Sequence, residues 1–289
     1  MKNFALFYAC PMLMIRDPKL DKFVPFTMND LMPIVADFFI SLMTVSTLLS
    51  LFNYFPDFFP ALAQGNLRSD EEWYNWSTLF YPPKWLVRNL LIGTFLQQFI
   101  QCFGAGLTAA QGLVTGNKTG VTMDNPMSSS RSVGEMWGSK WNVVIHDALK
   151  LGVYLPARKV VPKVVAMFST FVASGLFHEA IIQMFTWPLD NIDGCLSDPV
   201  AKATKVDCFR PRLFTTTWMF VWNAFLVGME QSPLGKFSFW SKVPNAVCAL
   251  YVTAMAGCLF CDWFMEPYWN SLCIENSSIL FFVMKPVAK

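Results

Sequence analysis

The sequence predicts an all-α fold, a polytopic bundle of about six to eight membrane helices when short and interfacial ones are counted. Three observations carry this. Apolar residues make up 54% of the 289 and charged residues only 15%, against about 25% charged in soluble domains. Mean hydropathy is +0.38, with 28 Phe and 11 Trp, the composition of a core built against lipid. Apolar runs of span length recur along the chain, separated by loops rich in Trp, Tyr and Pro, residues that mark the membrane interface.

In chain order, Met1 to Ile15 is apolar but too short to span, and the bulky residues around Pro11 give no signal-peptide cleavage site; an interfacial or packed segment is expected. Leu31 to Phe52 is the first expected span, with Asp37 its only charge. Asn53 to Trp85 reads as an interfacial loop. Asn89 to Ala110 is the second span, uncharged but carrying Gln97, Gln98 and Gln101, so it should face protein or a water-filled cavity rather than lipid. Gln111 to Asn142 is polar. Val143 to Leu155 is amphipathic, with Asn142, His146 and Lys150 on one side, and Pro156 stops it. Val164 to Met184 is the third span. A loop from Thr186 to Arg212 has a basic end, then Leu213 to Met229 and Asn245 to Cys261 are the fourth and fifth. No internal repeat or linker divides the chain, so a single domain, 1–289, is expected, with its motif core at 125–184. The sequons at Asn75, Asn117 and Asn276 and the scattered Lys and Arg fix no orientation.

Several functions are disfavoured. A net charge of +2 without a basic run argues against a nucleic-acid partner. No P-loop, G-x-S-x-G or G-x-G-x-x-G occurs. No second His, Cys or Asp stands at ligand spacing from His178, so no metal is expected. Cys102, Cys248, Cys258 and Cys261 sit in apolar segments as small hydrophobes. Cys195 and Cys208 share a loop and would pair if it faced an oxidising lumen.

The chemistry gathers between Asn125 and Glu179. Both histidines of the chain, His146 and His178, lie there. An ionisable group at membrane depth costs roughly 2.5–3.5 kcal/mol when charged, so it is read as functional by default. Thr170, Ser174 and His178 recur every four residues on one face, with Gly175 nearby to allow close approach. A neutral imidazole is the natural base for an alcohol proton; a histidine that only bonds a neighbouring helix is the plainer alternative. Glu179 points some 100° away from His178 and would pair with a basic residue or orient a partner. Asn142 before an amphipathic run is ordinarily a helix N-cap. Trp137 and Trp141, four apart, would form an aromatic shelf, with Arg131 and Lys140 adding charge. Such an entrance suits a nucleotide-phosphate substrate, for instance a coenzyme A thioester, and interfacial anchoring explains the tryptophans equally well.

Four blocks in order, Ser128–Arg131, Trp137–Asn142 (W-G-S-K-W-N), Leu149–Pro156 and Ser174–Glu179 (S-G-L-F-H-E), resemble the membrane-bound O-acyltransferases, most closely their wax synthase branch. The resemblance covers Asn125 to about Met184. It implies a helical bundle with a tunnel at membrane depth, His178 as the catalytic base, and Asn142 as the second functional polar residue. It implies acyl-CoA as co-substrate without a further cofactor, a lipid alcohol as acceptor, and direct transfer without an acyl-enzyme. Trp137, Trp141, Arg131, Lys140, Ser174 and Glu179 are the expected substrate-binding residues. The expected setting is the lipid of the endoplasmic reticulum and the expected product a wax ester. Diacylglycerol or sterol esterification, a proton relay or transporter using His178 and Glu179, and a catalytically silent scaffold are the alternatives.

Overall fold

The computed structural model describes residues 14–17, 22–55, 83–186, 214–232 and 242–258. The expected N-terminal segment, the loop after the first span, the Cys195–Cys208 loop and a short apolar tail expected at Ser278 to Met284 fall wholly or mostly outside these residues. Helix α1 (Met28–Tyr54) packs along α2 (Pro83–Thr115), and α6 (Lys163–Thr186) packs along α7 (Thr215–Gln231). Between the two pairs runs a strap of short pieces. These are α3 (Pro126–Ser129), α4 (Val133–Glu135) leading into a π-helical turn (Met136–Lys140), and α5 (Val143–Leu149) leading into a second π turn (Lys150–Tyr154) and then Leu155–Ala157. Helix α8 (Asn245–Val252), with a π turn at Thr253–Cys258, completes the described core.

Three helices are long and apolar enough to cross a membrane: Met28–Phe52, Val87–Thr115 and Lys163–Ile181. These are the first three expected spans, the second extended at both ends. The fourth is a helix of 17 residues, about 26 Å long at 1.5 Å per residue and so a little short of the roughly 30 Å hydrocarbon core. The described apolar part of the fifth, Asn245–Ala256, is shorter still.

Around an apolar core that includes Val45, Phe52, Phe95 and Phe220, the bundle exposes many large apolar side chains and buries several polar ones. Met32, Phe39, Ile40 and Met43 on α1, Phe103 on α2 and Trp218 on α7 are exposed, whereas Ser41, Asn89, Gln97 and Asn223 are buried. Burying a polar group is costly unless it is bonded, and here the bonds cross between elements. The Ser41 hydroxyl donates to Gln98 Oε1 at 2.9 Å, and the Met127 N–H donates to Gln97 Oε1 at 3.2 Å. Gln97 and Gln98 of the second span therefore face protein, as amides in an apolar run imply.

A two-stranded antiparallel sheet, β1 (Arg16–Asp17) and β2 (Lys22–Phe23), precedes α1, and the bridges Met14–Thr119 and Pro25–Asn117 tie this segment to the chain just beyond α2. The Asp30 carboxylate accepts from the Thr27 N–H and hydroxyl at the start of α1 and meets Lys118 Nζ at 2.6 Å just beyond the end of α2. Gly116, with φ at +66°, ends α2 in the left-handed conformation that glycine adopts without cost.

Helices α6 and α7 approach unusually closely at Gly175, where an added Cβ would sit 2.7 Å from the Thr217 Cα. One turn on, the buried Glu179 carboxylate accepts from the Thr217 N–H at 3.1 Å in the first turn of α7. A carboxylate there satisfies an orphan donor and complements the helix dipole, which accounts for an acid inside an otherwise apolar helix.

Candidate active site

A cavity of about 370 Å³ opens between the strap and helices α2, α6 and α7, within the usual range for small-molecule sites of roughly 300–1,000 Å³. Two polar groups from separate elements line its wall. His178 and Asn142, 36 residues apart in the chain, both line it, as do Ser174, Trp137 and Trp141.

His178 arrives there by helical spacing alone. Thr170, Ser174 and His178 line the cavity together, as a four-residue interval on a regular helix requires. His178 Nδ1 lies 2.8 Å from the Ser174 carbonyl oxygen. A carbonyl only accepts, so Nδ1 carries the proton, and in the neutral ring Nε2 is the basic nitrogen. The ring sits 4.7 Å from that of Phe220 on α7.

Asn142 arrives by a different route. It caps α5 with φ at +40°, and its Oδ1 accepts from the Ile145 N–H at 3.5 Å, a long contact. Asparagine is among the few side chains that enter the left-handed region readily. The residue type thus suits the cap, and Asn142 also lines the cavity. Its companions His146 and Lys150 line the cavity as well, whereas Leu151 and Leu155 are exposed. Ile145 and Leu149 of the same segment line the cavity too, so it takes both polar and apolar side chains from this stretch.

The aromatic shelf forms. The Trp137 and Trp141 ring centroids are 5.6 Å apart, and Trp137 also meets Phe220 at 5.7 Å. Trp137 Nε1–H donates to Asn223 Oδ1 at 2.8 Å, and the fully buried Asn223 in turn donates to the Met219 and Ala256 carbonyls. Glu230 supports the same segment, its two carboxylate oxygens accepting from the consecutive N–H groups of Val133 and Gly134 at 2.6 and 2.8 Å.

Three expected substrate-binding residues lie outside the cavity lining, each for a physical reason. Lys140 Nζ bonds the Ser129 carbonyl and hydroxyl, both at 2.9 Å, and pairs with Glu135 at 3.0 Å, so all three ammonium donors are used. The Glu135–Lys140 pair spans five residues, an interval that the π turn brings into line. Burial alone would raise the Glu135 carboxyl. The Arg131 backbone N–H and the Lys140 ammonium outweigh it and hold Glu135 below its ordinary value. Arg131 is exposed. Glu179 is buried against Thr217.

The cations that do line the cavity are Lys150 and Lys163. Lys163 was legible in principle, since Lys163, Met167, Thr170, Phe171, Ser174 and His178 are one helical face. Tyr154 and Gln231, also in the lining, depend on the π turn and on the packing of α7 and carry no local signal.

A family model described as membrane bound O-acyl transferase matches residues 122–196. Over 63 residues the chain is 33% identical to a protein of Arabidopsis thaliana described as probable long-chain-alcohol O-fatty-acyltransferase 7. That alignment covers 19% of this chain and 19% of the relative, so about a fifth of the relative's own length is represented. The matched stretch contains both the strap that carries Asn142 and the helix that carries His178, and over it the chain is similar to the membrane bound O-acyl transferase family.

Proposed function

We propose that this protein transfers a fatty acyl group from an acyl-CoA thioester to the hydroxyl of a lipid alcohol, a long-chain fatty alcohol before diacylglycerol or sterol. The observation that carries this reading is that His178 and Asn142, from separate elements, line one cavity between apolar helices. The family match over 122–196 supports acyl transfer as the class of reaction, and the relative's description supports a long-chain alcohol as acceptor. Three helices of membrane-crossing length support an integral membrane protein, and the endoplasmic reticulum is its proposed location.

In the proposed reaction, His178 Nε2 takes the hydroxyl proton as the alcohol oxygen attacks the thioester carbonyl carbon. The Nδ1–H bond to the Ser174 carbonyl keeps the ring in the tautomer this requires. The Asn142 amide N–H group donates to the carbonyl oxygen as negative charge develops on it, the point at which a fixed donor lowers the barrier most. The carbon–sulfur bond then breaks, the thiolate leaves, and it takes the proton from the imidazolium. Ester and free coenzyme A result, the ring returns to neutral, and no acyl-enzyme forms. Trp137 and Trp141 hold the apolar part of the substrates.

The test is an acceptor screen. Microsomes from a host without neutral-lipid acyltransferases, carrying this chain or its His178→Ala variant, receive labelled acyl-CoA with fatty alcohol, diacylglycerol or sterol. Wax ester made by the parent chain and not by the variant is expected. Triacylglycerol or sterol ester with the same dependence moves the acceptor and keeps the chemistry. No ester from a well-inserted parent chain rejects acyl transfer, and undiminished ester from the variant rejects His178 as base.

A further inference from the structure

The cavity has two chemically different ends. The fifteen helical steps along its α6 wall, from Lys163 to His178, extend it by about 22 Å at 1.5 Å per step. Around His178 the neighbours are aromatic, Phe220 among them. At the other end is Lys163 from α6; Lys150 from the strap enters the same lining, and both are exposed. Beside them the connection into α6 presents Arg158 and Lys159, also exposed. From Ala148 to His178 the chain holds these four Lys and Arg side chains and no Asp or Glu.

The acids of the surrounding elements are already engaged. Asp147 lies 3.2 Å from His146, and Glu230 is held by the Val133 and Gly134 N–H groups. No ion pair involves Lys150 or Lys163 among the described residues. A lone lysine at the end of a span ordinarily marks the water boundary. Two from separate elements, both exposed and both lining one apolar cavity, with two more exposed cations in the chain between them, form a local positive field that draws a multiply charged anion.

We propose that Lys150 and Lys163 bind the phosphate esters of a nucleotide-bearing acyl donor, whose thioester then reaches along α6 toward His178. The inference rests on the acyl-transfer reading for the donor's identity. It assigns the phosphate contact to residues other than Arg131 and Lys140. It also places the Lys163 end of α6 at the face from which the donor enters.

The test uses the full chain purified in a non-ionic detergent without phospholipid. Coenzyme A binding is measured by calorimetry, and the donor KM is measured with long-chain acyl-CoA and with the corresponding N-acetylcysteamine thioester, which lacks the nucleotide. Substituting Lys150→Ala and Lys163→Ala together is expected to weaken coenzyme A binding and raise the acyl-CoA KM by about tenfold or more, the scale of losing charge-assisted bonds. Use of the headless thioester should agree with the parent chain within about threefold, a small step on the same affinity scale. The pair Arg158→Ala and Lys159→Ala should shift the KM much less.

Unchanged coenzyme A affinity in the lysine variant overturns the assignment. So does an equal loss from the Arg158 and Lys159 pair, an equal loss on the headless thioester, or a lysine effect seen only when anionic phospholipid is added. A parent chain that binds coenzyme A through Lys150 and Lys163 yet forms no ester keeps this inference and rejects the transfer reaction.

Discussion

Helix α6 and the strap facing it, residues 126–157, each contribute one of the two central polar groups of the cavity, and they hold it by different means. His178 rides on a regular helix of 24 residues, and its place follows from an interval of four and a bond to the carbonyl one turn back. Asn142 sits in a chain of short helices, π turns and left-handed caps, with Asn125 and Asn142 both at positive φ. That chain holds its shape because distant residues bind it. Glu230 holds its start, Asn223 holds Trp137, and the Thr253 hydroxyl donates to the Met127 carbonyl at 2.8 Å. A group on a long helix is positioned by its neighbours in sequence, whereas a group on the strap is positioned by α7 and α8. Local substitutions should therefore be sharp on α6 and diffuse on the strap.

The largest effect tests α6. His178→Ala is expected to lower ester formation by about 10²–10⁴-fold, the range for loss of a general base, with unchanged protein level and thermal stability. A large fall in stability instead would mean that the ring serves packing. On the strap, Asn142 must be probed without disturbing its backbone. Asn142→Gly keeps the positive φ and removes the amide, while Asn142→Asp keeps the capping oxygen and removes the donor. Both are expected to lower kcat on the order of 10²-fold, the cost of one donor aimed at developing negative charge. Full activity in Asn142→Asp would show that the cap alone matters.

Glu230 tests the remote support. Its bonds to Val133 and Gly134 are charge-assisted, so Glu230→Ala should cost about 1.5–3 kcal/mol of stability, read as a lowered unfolding midpoint in detergent. Glu230→Gln, which keeps one acceptor, should recover part of it. The smallest effect concerns Glu135, whose carboxyl is held below its ordinary value in the folded protein. A depressed carboxyl contributes stability in full above the unfolded-state value, and that contribution disappears as pH falls through the lowered native value. Midpoints measured down through the acid range should therefore drop more for the parent chain than for Glu135→Gln. Parallel curves would mean that the ion pair with Lys140 contributes nothing.

The same contrast decides how much was legible in the sequence. Helices α1, α2 and α6 follow from apolar length. The Thr170–Ser174–His178 face follows from one interval, and the inward turn of Gln97 and Gln98 follows from amides in an apolar run. Asn142 showed itself as a cap, and its φ of +40° explains why asparagine stands there. That Lys140 lies outside the cavity lining was not legible, because it is drawn to Glu135 and Ser129 by a π turn that periodicity does not reveal. The 100° step between adjacent helical residues already turned Glu179 away from His178, but that its partner is the Thr217 N–H of another helix was not legible. Asn223 and Glu230 gave no local signal, since their meaning lies in the segment they reach across the bundle.

Gly175 sets the bore of the cavity from outside it. Its bare Cα lets α7 settle against α6 so closely that a single methyl group would strike the Thr217 backbone, and Phe220, three residues further along α7, faces the His178 ring. Gly175→Ala would act as a wedge, tilting α7 outward and widening the gap between those two rings, with no lining side chain replaced. A slim acceptor would then lose its snug wall while a bulky one gained room. Selectivity for the shape of the alcohol is gauged, on this view, by an atom the chain leaves out.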